Sequence, residues 1–112
     1  MVIRALAPDR GDLVWVDFGP ALGHEQSGRR PALVISLRAY NQKVGLFLAC
    51  PVTSRIKGYS LEVALESENL DGVVLVDQVK SLDWRIRPFE PIGIAKPEVV
   101  GEVLAKLRAI ID

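Results

Sequence analysis

Short apolar runs, broken every few residues by turn-forming residues, constrain this chain more than any other feature. Residues 12–18, 31–37, 44–52, 60–65 and 72–79 are each rich in Val, Ile, Leu or aromatics and bounded by Gly, Pro, Asn or Asp, which predicts short strands. Leu61, Val63 and Leu65 alternate with Ser60, Glu62 and Ala64, and Leu82, Trp84 and Ile86 alternate with Asp83, Arg85 and Arg87. Both segments should therefore bury one face only. Residues 92–95 form a further brief strand between Pro91 and Pro97. The connections are too short for parallel crossovers, which need about a dozen residues. After Lys96 the period changes: Val100, Val103, Leu104, Leu107 and Ile111 fall at helical spacing, with Glu98, Glu102, Lys106 and Arg108 on the wet side. Pro97 suits the first turn of that helix, Glu98 complements its positive end, and Lys106 and Arg108 complement its negative end. Six or seven short strands and one C-terminal α-helix predict a mainly β fold, a small and strongly bent barrel with the helix over an opening or against its side.

The 112 residues make one domain spanning 1–112, because a single core of ordinary size needs about 100–150 residues. A domain this small leaves apolar surface exposed and gains from dimerising, so a homodimer is expected. Cys50 is the only cysteine and His24 the only histidine, which rules out an intrachain disulfide and the usual four-ligand zinc site. The expectation is a site with neither metal nor cofactor. The first six residues are too short an apolar stretch for a signal peptide, and no run of about 18 apolar residues follows, so a cytoplasmic location without membrane contact is expected. Formal net charge is zero, yet the charge is unevenly placed. Residues 26–60 hold Arg29, Arg30, Arg38, Lys43, Arg55 and Lys57 and no acid, whereas residues 61–83 hold Glu62, Glu66, Glu68, Asp71, Asp77 and Asp83 against Lys80 alone. Such a division suits an anionic partner, and it also suits ordinary solvated charge.

Residues 19–29 are a long stretch without apolar periodicity between two strands, where a hairpin normally needs about two to five residues. Gly19, Pro20, Gly23 and Gly28 punctuate it, and His24, Glu25, Gln26 and Ser27 lead into Arg29, Arg30 and Pro31. A second loop offers Thr53, Ser54, Arg55, Lys57 and Tyr59. If the strands at 31–37 and 44–52 pair antiparallel, Arg30 becomes a neighbour of Thr53. Cleavage of RNA by its own 2′-hydroxyl needs a base, donors for the crowded phosphorane oxygens, and an acid or cation for the departing 5′-oxygen. Glu25 fits the base, Arg30 the charge stabiliser (its pKa is too high for a general acid), and Thr53 a donor to a non-bridging oxygen. The same residues also suit a plain surface ion pair between Glu25 and Arg30 and a turn that begins at Thr53. His24 reads as a solvated loop residue, Cys50 as core, and Trp15 and Trp84 as core or dimer-interface residues in preference to base-stacking platforms. Gln78 and Lys80 fit either RNA contacts or the solvated end of a strand.

The residues resemble the MazF/PemK (Kid) toxins of type II toxin–antitoxin systems, and the MazF branch in particular. The resemblance runs from Gly11 to the C-terminal helix. It rests on Gly11-Asp12-Leu13-Val14-Trp15-Val16-Asp17-Phe18, Gly23-His24-Glu25-Gln26-Ser27-Gly28-Arg29-Arg30-Pro31, Pro51-Val52-Thr53-Ser54 with Lys57-Gly58-Tyr59, and Asp77-Gln78-Val79-Lys80-Ser81. It implies an SH3-like small barrel, homodimeric, that cuts single-stranded mRNA at a short sequence without a metal, leaving a 2′,3′-cyclic phosphate and a 5′-hydroxyl and so stopping translation. By similarity Glu25, Arg30 and Thr53 occupy catalytic positions, and Gln26, Arg29, Ser54, Lys57, Asp77, Gln78 and Lys80 occupy RNA-binding stretches. It also implies a MazE-like antitoxin whose acidic, disordered tail folds across the toxin, and DNA contact only through that complex. The acid-free 26–60 stretch is a plausible landing site for such a tail or for phosphates. Two departures stand out: His24 replaces a residue that is commonly small in the family, and Leu75 stands where the PemK branch has Arg. The alternative from another class is a CcdB-like gyrase-binding toxin on the same barrel. Against it, the chain ends Ile110-Ile111-Asp112 rather than Trp-Gly-Ile. A peptide-binding SH3 module would need a clustered aromatic groove, and seven aromatics (two Trp, two Tyr, three Phe) are few for one.

Overall fold

In the computed structural model, which describes residues 6–20, 23, 26 and 28–112, successive residues of the central strands enter two separate apolar clusters. Strands β1 (Asp12–Asp17), β2 (Arg29–Val34), β3 (Leu46–Thr53), β4 (Glu62–Glu66), β5 (Asp71–Leu75), β6 (Lys80–Asp83) and β7 (Glu90–Ile94) make one antiparallel sheet. Its order is β4-β5-β3-β2-β1-β7, with β6 pairing on β3, and it curls into a half-barrel. Leu13, Leu33, Cys50, Val52, Val63 and Val74 fill one cluster; Val14, Val16, Ala32, Val34, Phe47 and Leu82 fill the other. Strands with both faces buried read as continuous apolar runs, which is why β1, β2 and β3 were conspicuous in the sequence.

Helix α2 (Pro97–Ile111) lies over the first cluster and drives the fully buried Val103 into it, flanked by Val99, Val100, Leu104 and Leu107. Pro97, Glu98 and Arg108 stand at the ends of this helix as their charge and geometry require. Ile111 does not join the buried stripe and is exposed, because the last turn runs past the edge of the cluster.

The strands expected at 31–37 and 92–95 span Arg29–Val34 and Glu90–Ile94, and four further sequence expectations need correction. The segment from 38 to 44 is a short helix, α1 (Arg38–Val44), so the third strand starts at Leu46 rather than 44. Leu37 supplies no capping side chain to α1; Asp9, distant in sequence, accepts the Arg38 N–H at 2.8 Å instead. Gly45 ends α1 in the left-handed region at φ 81°, and the Arg85 guanidinium packs where its Cβ would be. The run 72–79 is not one strand, since Val76–Gln78 forms a 3₁₀ turn between β5 and β6. Strand β4 begins at Glu62, after a turn closed by Glu62 N–H on the Tyr59 carbonyl at 3.2 Å. The alternation of Leu82, Trp84 and Ile86 stops being a strand at Asp83. Asp83 Oδ1 accepts the Arg85 N–H at 2.9 Å and its carbonyl accepts the Arg87 N–H at 3.0 Å, which turns the chain there.

Candidate functional site

The site is assembled by register. In β1–β2 pairing, Val16 faces Arg30 and Trp15 faces Pro31, while β2–β3 pairing puts Ala32 opposite Pro51. Continued by two residues, the latter register brings Arg30 level with Thr53, as the antiparallel reading required. The two line one open cleft of about 270 Å³ together with Trp15, Pro31, Val52, Ser54, Leu70 and Asp71. Strand β5 supports it from the other side, with Thr53 opposite Val73. Gly72 is needed there for close approach: a Cβ at that position would strike the Thr53 carbonyl oxygen. Thr53 Oγ1 accepts the Arg55 N–H at 3.1 Å, and the hydroxyl keeps its own proton to donate.

Residues 9–111 match the family model described as "PemK-like, MazF-like toxin of type II toxin-antitoxin system". The chain belongs to that family. It is 46% identical over 110 residues to the endoribonuclease toxin MazF of Escherichia coli K12, covering 98% of this chain and 99% of that one. Identity to the endoribonuclease toxin ChpB of the same organism is 44%, covering 93% and 94%. Among solved structures, MazF of Deinococcus radiodurans superposes with a TM-score of 0.88 at 53% identity, covering 94% and 96%. A MazE–MazF complex from that organism gives 0.81 at 49% identity, covering 94% and 95%. The gyrase-binding alternative is not favoured by these family members.

The remaining family-matched positions fall into several settings. Ser54 joins Arg30 and Thr53 in the cleft. Gln26 donates its backbone N–H to Gln78 Oε1 at 3.3 Å, which ties the 19–28 loop to the 3₁₀ turn. That loop is also closed at its base, by Phe18 N–H on the Gly28 carbonyl at 2.9 Å and Gly28 N–H on the Gly19 carbonyl at 2.8 Å. On the same turn, Asp77 Oδ1 accepts the Tyr59 hydroxyl at 2.7 Å. Burial and the Asp77 carboxylate push the Tyr59 phenol up to about 12. Arg29 pairs with Glu90 at 2.9 Å and lies over the Trp15 ring, 5.8 Å from its centroid. Lys57 is exposed, and its backbone N–H and that of Gly58 are accepted by the two Glu62 carboxylate oxygens at 3.0 and 2.8 Å. The Lys80 ammonium donates to the Phe18 carbonyl at 2.9 Å, which fastens the end of β1 and leaves two of its three N–H donors beyond that bond. Glu25, His24 and Ser27 lie outside the described residues.

Sequence reasoning missed the apolar wall and the acid of the cleft. Trp15 is not core: it is 38% exposed and lines the cleft, whereas Trp84 is 8% exposed and donates its indole N–H to the Asn41 carbonyl at 2.8 Å. The period-two pattern around Trp15 could have shown it, except that both faces of β1 are apolar and the alternation is therefore silent. Asp71 carried no signal beyond its place in an acidic stretch. Cys50 is buried as expected, and desolvation, reinforced by Asp77, pushes its thiol up to about 12.

Proposed function

We propose that this MazF-type endoribonuclease toxin cuts single-stranded RNA without a metal, by attack of the 2′-oxygen on the adjacent phosphorus. The observation that supports it most is the convergence of Arg30, Thr53 and Ser54 on one small cleft. The O2′–P bond forms and the P–O5′ bond breaks. Glu25 takes the 2′-hydroxyl proton, and the departing 5′-oxygen takes one from water. The ends are then a 2′,3′-cyclic phosphate and a 5′-hydroxyl. Arg30 remains a cation throughout and stabilises the charge that builds on the phosphorane, while Thr53 donates its hydroxyl to a non-bridging oxygen. Gln26, Arg29, Ser54, Lys57, Asp77, Gln78 and Lys80 serve RNA binding, directly or by shaping the loops that meet it.

The chain acts as a homodimer in the cytoplasm, shuts off translation, and is held by a MazE-like antitoxin with an acidic disordered tail; DNA is met only through that complex. Solved complexes of MazE with MazF among the similar structures support an antitoxin partner. No helix among the described residues is long and apolar enough to cross a membrane.

The test is cleavage of a single-stranded transcript in excess EDTA, with Arg30→Ala alongside. Wild-type protein should cut at full rate, and the variant should keep its thermal transition while losing about a hundredfold or more, the usual size for removal of a group that stabilises transition-state charge. Loss of wild-type cleavage in EDTA, or an Arg30→Ala protein that cuts normally, contradicts the proposal.

A further inference from the structure

The cleft that holds Arg30 and Thr53 is chemically divided. Arg30, Thr53 and Ser54 offer a cation and two hydroxyls, the usual partners of a phosphate, whereas Trp15, Pro31, Val52 and Leu70 offer apolar surface and Asp71 a carboxylate. We propose that the Trp15–Asp71 part of the cleft is a nucleobase subsite, in which the indole supports the ring and Asp71 accepts a hydrogen bond from an exocyclic amino group. This rests on the ribonuclease reading above and adds to it which bases the site takes.

Three observations carry the assignment. Asp71 repels phosphate, and it also lines a second hollow with Glu66, Ser67, Glu68 and Lys96, so negative charge gathers at this end. The part of an RNA chain that is neutral and can donate to a carboxylate is the base edge. The carboxylate also has acceptor capacity to spare: Asp71 Oδ1 accepts the Ser67 N–H at 3.3 Å, and a carboxylate has about four acceptor positions, which leaves room for a ligand. Finally, the whole cleft of about 270 Å³ lies below the roughly 300–1,000 Å³ of sites for drug-sized molecules, so the part beside the phosphate position suits one base rather than a stacked pair. Gly72, pressed against the Thr53 backbone, sets this base position beside the phosphate position.

The edge chemistry selects among bases. Adenine, cytosine and guanine each carry an amino group that donates to Asp71. Uracil presents two carbonyl oxygens flanking one N–H and is repelled by the carboxylate. The base must be unpaired to enter, in keeping with a single-stranded substrate.

Binding can be read apart from cleavage with 2′-deoxy pentanucleotides, which lack the attacking hydroxyl. Trp84 is buried, so a change in tryptophan fluorescence on binding reports Trp15. Pentanucleotides of deoxyadenosine or deoxycytidine should change the fluorescence and bind about tenfold more tightly than one of deoxyuridine, the size of one base-selecting hydrogen bond with its stacking. Trp15→Phe should remove the signal, and Asp71→Asn, on an exposed side chain, should bring the affinities to within about threefold of one another. In cut-site mapping on a long transcript, wild-type protein should disfavour uracil at one position beside the cut, and Asp71→Asn should relax it. An Asp71→Asn protein that cuts with the wild-type base pattern, or Trp15 fluorescence unmoved by saturating pentanucleotide, overturns the subsite and leaves the ribonuclease reading standing. Failure of wild-type protein to cut any RNA overturns both.

Discussion

Cys50 and Asn41 illustrate how single polar groups are managed in a core this small. The Cys50 thiol is buried and pushed up to about 12 from an ordinary value of 9.0. The folded chain therefore keeps a proton that the unfolded chain releases above about pH 9. This contribution to stability is complete below that pH and declines as pH rises toward 12. A thiol-specific reagent at pH 8 should accordingly leave Cys50 untouched in the native protein and modify it in urea; rapid native labelling would contradict the burial. Asn41 is fully buried and fully engaged. Its Nδ2 donates to the Pro8 carbonyl at 2.8 Å and the Ser36 carbonyl at 3.1 Å, and its Oδ1 accepts the Ser36 hydroxyl at 2.6 Å. Ser36 Oγ in turn accepts the Leu48 N–H at 2.8 Å. Asn41→Ala strands several of these partners, and a loss of about 2–3 kcal/mol is expected in urea unfolding, from about 1–3 kcal/mol per buried unsatisfied group.

Among the elements, the loop between β3 and β4 is held more firmly than its exposure suggests. Glu62 at the start of β4 accepts two successive backbone N–H groups, and the Tyr59 hydroxyl is fastened to Asp77. Glu62→Ala should release Lys57 and Gly58, seen as amide exchange at least about tenfold faster at these two positions, because exchange there follows local opening. Unchanged exchange would mean that the loop is shaped by its own backbone. The 3₁₀ turn of Val76–Gln78 meets both long loops, Asp77 through Tyr59 and Gln78 through Gln26. This explains which parts of the architecture were legible. Strands β1, β2 and β3 announce themselves as apolar runs of six or more residues buried on both faces, and helix α2 by a helical period that agrees with its burial. Helix α1 does not: it is seven residues long, too short for a helical period, and Asp9 caps it from a distance. Antiparallel pairing alone brings Arg30 and Thr53 together, but the apolar wall of their cleft depends on which face of β1 curls inward, a property of the whole sheet.

At the scale of the molecule, formal neutrality conceals the division of charge. The acid-free 26–60 stretch supplies Arg30, Thr53 and Ser54 to the cleft, whereas Asp71 comes from the acidic segment that follows. An acidic antitoxin tail that covers the cations of the first stretch should compete with RNA, so a cognate tail peptide should raise the apparent KM for a single-stranded substrate. Tail binding without any effect on RNA affinity would separate the two surfaces. The curl of the sheet brings the ends of β2 and β3 to one cleft, and the chemistry proposed there depends on the 2′-hydroxyl of the substrate. The most direct measurement is cleavage in EDTA of an RNA oligonucleotide that carries a single deoxynucleotide immediately 5′ of a mapped cut, with the ends of the all-ribose product identified by mass. The account expects a 2′,3′-cyclic phosphate and a 5′-hydroxyl from the all-ribose strand and no cut at the deoxy position; a cut that persists there, or a 5′-phosphate end, contradicts it.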